Sequence, residues 1–128
     1  MKNLWYKKEV NTSFLETVDD VTFALKKEWF GVLTKIDIKA KLKEKLDKDI
    51  ENYLILWACN PALANKALES EYEIWLLLPC NVIIYEKNSR VFVSAIMPVQ
   101  AMGMIDNDGV KEVALIAESK LKKVIDNI

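Results

Sequence analysis

The chain has 128 residues and a mass of 14.7 kDa, with 52% hydrophobic and 29% charged residues; this fits one folded domain spanning 1–128 and excludes disorder as its main state. Eighteen Lys+Arg against 19 Asp+Glu leave a net charge of −1, and Arg90 is the sole arginine, so the massed cations and bidentate readers that nucleic acid demands are missing. The longest apolar run, Ile74 to Tyr85, is broken by Pro79 and Asn81 and falls short of the roughly 20 residues of a membrane span; with no apolar leader at the start, a soluble, cytoplasmic protein with reduced thiols is expected, with no membrane or nucleic-acid partner.

Residues 4–10 read as a first strand. Ser13 with Glu16 three residues on is a capping-box pattern, and Phe14, Val18, Val21 and Leu25 form the apolar face of a helix ending near Glu28. Gly31 suits either a helix-terminating turn or the start of the next strand. Val32, Thr34, Ile36 and Ile38 alternate with other residues, which predicts a second strand with these positions facing the core. Residues 38–50 read as a short, exposed helix with Ile38, Leu42 and Leu46 as its stripe; its five lysines from Lys39 to Lys48 read as a solvated face, with a ligand patch as the alternative.

Tyr53 to Cys59 is nearly continuously apolar, as a strand inside a sheet would be. Asn60-Pro61 then starts a helix running to about Ser70, because Asn is a favoured N-cap and Pro a favoured first helical residue. Tyr72 to Leu78 reads as a further apolar strand, Pro79 as a bulge or bend, and Val82–Tyr85 as its continuation. Lys87-Asn88-Ser89 is a turn, with a returning strand over Arg90–Met97. A loop follows from Met97-Pro98 to Asp108-Gly109, and an amphipathic helix from Val110 to Ile125 closes the chain. The order β-α-β-α-β-α-β-β-α predicts an α+β domain: one mixed sheet of about five strands, with helices mainly on one face. A sheet with a bare face often completes its core by pairing with a second copy, so a homodimer is expected.

The chain contains no histidine. That removes Ser-His-Asp and Cys-His nucleophile machinery, every His-containing zinc site and the readiest proton shuttle near neutral pH. Its three glycines, Gly31, Gly103 and Gly109, cannot write a phosphate loop or a dinucleotide fingerprint. No cofactor is expected, and no reaction is assigned.

One chemical element occurs twice: a Cys-Asn pair beside a proline, as Cys59-Asn60-Pro61 and as Pro79-Cys80-Asn81. The first lies where a strand passes into a helix N-terminus, where unpaired amides and the helix dipole favour negative charge and lower the pKa of a nearby thiol. Cys59, Asn60, Cys80 and Asn81, with Asp37 as an acid in the second strand, therefore form the candidate site for a small anionic ligand. A reactive thiolate at Cys59 is the alternative, serving a redox sensor or an enzyme. The bland reading makes both cysteines small apolar fillers in a purely structural interaction domain, and Asp37 a solvent-facing acid. A metal site is not supported by two Cys ligands without His, and Met97, Met102 and Met104 read as core or interface filling.

Phe30-Gly31-Val32, Lys35-Ile36-Asp37, Cys59-Asn60-Pro61 with Ala64, and Leu78-Pro79-Cys80-Asn81-Val82 follow one another in an order and spacing that resemble the domain of unknown function 302 family. The resemblance spans roughly residues 3–125. It implies an α+β domain with a mixed sheet, and dimers, but no activity, substrate or cofactor. The motif residues that carry over are Gly31, Asp37, Cys59, Asn60, Pro61, Pro79, Cys80 and Asn81. Two departures stand out: Trp29, where the family has a small Gly-Phe element, and Trp57, whose ring could fill a cleft left open elsewhere.

Overall fold

A computed structural model describes residues 3–77 and 80–128. Strand β1 (Trp5–Val10) leads into helix α1 (Phe14–Lys27), whose first turn is held as the capping pattern predicts: Ser13 Oγ accepts the Glu16 N–H at 3.2 Å. Thr17, Val18, Val21, Ala24 and Leu25 form its buried face. The helix ends in a Schellman turn, with Trp29 N–H donating to the Lys26 carbonyl and Phe30 N–H to that of Leu25, both at 3.0 Å. The left-handed position of this turn belongs to Trp29, at φ 66°; Gly31 instead opens strand β2 (Gly31–Asp37).

Helix α2 (Ile38–Leu46) follows with no buried residue, then β3 (Tyr53–Cys59) and α3 (Pro61–Ser70). The stretch expected to be a strand from Tyr72 is a turn and a 3₁₀ segment, Ile74–Leu77; Leu78 and Pro79, where the strand's end and the bulge were expected, lie outside the described residues. Ile74 is the reason for the difference: it is buried among α3 and α5 side chains, so this apolar run roofs a second core rather than adding to the sheet. Strands β4 (Asn81–Lys87) and β5 (Arg90–Ile96) form the predicted hairpin, with Asn88 and Ser89 at positive φ in the turn. A single turn of helix, α4 (Pro98–Ala101), interrupts the expected loop, and α5 (Asp108–Asp126) starts two residues before Val110, capped by Asn107.

The five strands lie in the order β1-β5-β4-β3-β2. Every ladder is antiparallel, where strand–helix alternation had pointed to a mixed sheet. The ladders make β1 and β2 run the same way, but α1 carries the chain from one edge of the sheet to the other, so these two parallel strands never become neighbours. The α+β class, the strand number and the placing of helices mainly on one face are as predicted, with α2 bordering the other face.

Strand alternation divides the sheet into two faces. Leu56, Ala58, Val82, Ile84, Val91, Val93 and Ala95 point toward the helices and are buried with Leu25, Phe30, Leu121 and Ile125. Each fully buried Val, Leu, Ile or Phe among them contributes about 1.5–3 kcal/mol. A second cluster joins α3, the 3₁₀ segment, α4 and the first half of α5 through Ala67, Ile74, Met102, Val110, Val113 and Ala114. The other face of the sheet carries a cross-strand aromatic row, Tyr53–Tyr85–Phe92, stacked at 5.5 and 5.2 Å between ring centres.

The predicted inward alternation of β2 fails beyond Val32. Val32 pairs with Ala58 but Thr34 pairs with Trp57, so Leu33 is an extra, bulged residue. The bulge reverses which face later residues take: Ile36 lies opposite Ile55, away from the helices, and is 40% exposed.

Candidate functional site

Strand β3 ends at Cys59, and Asn60 turns the chain into α3. Asn60 is buried and both ends of its amide are used: Oδ1 accepts the Leu63 N–H at 3.2 Å, and Nδ2 donates to the Glu28 carbonyl at 3.4 Å. The residue therefore caps α3 and ties it to the end of α1. Across β3 the Cys80 carbonyl accepts the Ala58 N–H at 3.3 Å, which brings the Cys59-Asn60 and Cys80-Asn81 pairs side by side.

Between them is a cavity of about 50 Å³; one water needs roughly 10–15 Å³. It lies where the two core clusters meet. Five alanines hold it open: Ala58 from β3, Ala64 and Ala67 from α3, and Ala114 and Ala117 from α5. Cys59 and Cys80 add two more small side chains, while Ile74, Met102 and Val113 close the interior. At the outer side Trp57 meets Trp75 of the 3₁₀ segment edge-on, with ring centres 5.8 Å apart. The ring of Trp57 thus stands in the wall and does not fill the space.

The electrostatics differ from those of an open helix N-terminus. Pro61 has no N–H, Leu63 donates to the Asn60 side chain, and Ala64 donates to the Asn60 carbonyl at 2.8 Å. Only the Ala62 amide of the first turn has no partner among the described residues. The group of free amides expected to attract an anion is therefore spent on capping. The thiols follow the same logic. Burial pushes the Cys59 thiol up; deeper burial, reinforced by the neighbouring Cys59, pushes Cys80 up to about 12. Both stay neutral at physiological pH, opposite to the lowering expected of a helix N-terminus.

Of the five residues singled out in the sequence, Cys59, Asn60 and Cys80 line the cavity. Asn81 begins β4 opposite Trp57 and is not part of the lining. Asp37 is at the far end of β2: it pairs with Leu54, whereas Gly31 pairs with Cys59. Six residues of strand put it about 20 Å away, where its Oδ1 caps α2 by accepting the Ala40 N–H at 2.9 Å. The methionines separate likewise: Met102 is buried against the cavity, while Met104 is 97% exposed. Sequence reasoning missed Trp75 and the alanines. Ala64/Ala67 and Ala114/Ala117, each spaced by three on a helix, were the available signal, since small residues at that spacing make one flat helical stripe. Among the described residues no group of three or more Cys, Asp or Glu could hold a metal ion, and no helix is long and apolar enough to cross a membrane.

A family model described as "Domain of unknown function DUF302" matches residues 6–128. The fold is similar to the crystal structure of an uncharacterised conserved DUF302 protein from Bacillus stearothermophilus, at 30% identity and a TM-score of 0.89 over 97% of each chain. No curated protein matches the sequence.

Proposed function

The chain belongs to the DUF302 family, and we propose that it is a homodimeric module that holds a small molecule in the cavity beside Cys59, Asn60 and Cys80. The observation that supports this is the cavity itself. Protein interiors are packed to crystal-like density, and unfilled space costs stability at about 24 cal/mol per Å³. Here five alanines from three separate elements converge on one void, where larger side chains would have filled it. Partial burial raises the pKa of the half-buried Cys59 thiol and so works against its use as a nucleophile, and binding is the better reading of the same residues.

The second copy is argued from the face of the sheet opposite α1 and α5. An antiparallel sheet exposed on one side is usually polar there; this one presents Trp5, Tyr53, Ile83 and Tyr85 in a broad trough. Lys7, Lys39 and Lys87 line the trough together with Asp49, Glu51 and Glu86. A balanced rim of this kind suits a twofold-related copy of itself and opposes a polyanion.

Thermal-shift screening of small molecules should find compounds that raise the Tm of the wild type by several degrees and leave Ala114→Leu, which fills the floor, unmoved. No hit, or hits that persist in the filled variant, would remove the site. Light scattering should give about twice the 14.7 kDa chain mass, returning to the single mass in Ile83→Glu; a wild-type monomer would refute the dimer.

A further inference from the structure

We infer that the cavity takes an uncharged ligand whose short apolar end sits on the alanine floor and whose polar end remains at the mouth beside Trp57 and Trp75. This rests on the ligand-binding reading above and adds the chemical class. Among the described residues no charged side chain lines the cavity, and its polar side chain, Asn60, already has both ends of its amide engaged. An anion or cation would lose its hydration there without a counter-charge, which is strongly unfavourable. The first-turn amides that could have replaced water around an anion are capped or absent at Leu63, Ala64 and Pro61.

The shape of the lining gives the orientation. Ala58, Ala67, Met102, Ala114 and Ala117 are at most 4% exposed and form the floor. Trp75 is 41% exposed, and Trp57, Cys59 and Ala64 are half-buried, so they mark the mouth. A dry apolar cavity of roughly 150 Å³ accommodates benzene. The enclosed space here is about 50 Å³, which suits a short alkyl end rather than a whole ring. The indole edges and the neutral thiols at the mouth offer weakly polar, polarisable contacts to an alcohol, ester or carbonyl group outside the floor.

The test pairs two probes of the same chain length and opposite charge state: 1-butanol and butyrate at pH 7, titrated against protein carrying labelled alanine methyl groups and followed by NMR. The inference predicts saturable shifts of the Ala64, Ala67, Ala114 and Ala117 methyl signals with 1-butanol and at least tenfold weaker binding of butyrate. In Ala64→Leu or, should that variant not fold, Ala117→Val, the 1-butanol shifts should disappear. Butyrate moving the same methyls at equal or lower concentration would overturn the ligand class while leaving the site standing. If neither probe moves those methyls, the class and the site are both refuted.

Discussion

The two core clusters are built from different materials. The cluster between the sheet and α1 with the end of α5 is filled by Phe30, Leu25, Leu56, Ile84, Leu121 and Ile125, all essentially without exposure. The cluster between α3, α4 and the start of α5 is rich in alanine and opens into the cavity. The first is packed for stability. The second leaves a space at the end of the sheet, where the proposed ligand would sit.

The sharpest way to break this contrast is to create a void in the filled cluster. Leu56→Ala should lower unfolding free energy by about 2–5 kcal/mol in urea denaturation; a loss under 1 kcal/mol would mean the sheet core is no tighter than the cavity. Enlarging one alanine in the filled cluster and one at the cavity reverses the comparison. Ala95→Leu, where the core is full, should cost about 1–3 kcal/mol, while Ala64→Leu at the cavity should cost well under 1 kcal/mol. Equal costs would show that the cavity collapses.

The buried thiol adds a pH signature specific to the cavity. The Cys80 thiol is pushed up to about 12 in the folded chain, against roughly 8.5 when unfolded. The folded state therefore keeps a proton that the unfolded state releases, so stability is complete below about pH 8.5 and declines as pH rises toward 12. Wild type should lose on the order of 1 kcal/mol more than Cys80→Ala between pH 8 and pH 10. Identical pH profiles would place the thiol in water. The smallest expected effect lies outside both clusters, at Trp29. Its left-handed backbone, with the ring 77% exposed, favours glycine, and Trp29→Gly should stabilise the chain by about 0.5–1 kcal/mol. Destabilisation would show that the ring makes a contact worth more than its strain.

Much of the fold was legible where local chemistry decides. Ser13 and Glu16, Asn60 and Pro61, and the Asn88-Ser89 turn each sit where their side chains or backbone preferences place them. What the sequence concealed was set by distant partners. The run from Ile74 could belong to a strand or a buried turn, and only its packing against α3 and α5 decides between them. One bulged residue, Leu33, reverses the faces of β2, and no period in the sequence announces it. The long crossover through α1 decides that the sheet is antiparallel. The site was half legible: Cys59, Asn60 and Cys80 were recognisable as a repeated pattern, but Asp37 had the chemistry without the position, and the alanines had the position without distinctive chemistry. The capping that identified the helix start also consumed the amides that would have drawn an anion there.

Crystals pressurised with xenon test the central claim most directly, because xenon enters dry apolar cavities and has no affinity for charge. The account predicts a xenon atom bounded by Ala58, Ala67, Ala114 and Ala117, absent in crystals of Ala117→Val. A wild-type cavity that stays empty of xenon, or holds ordered water in its place, would contradict it.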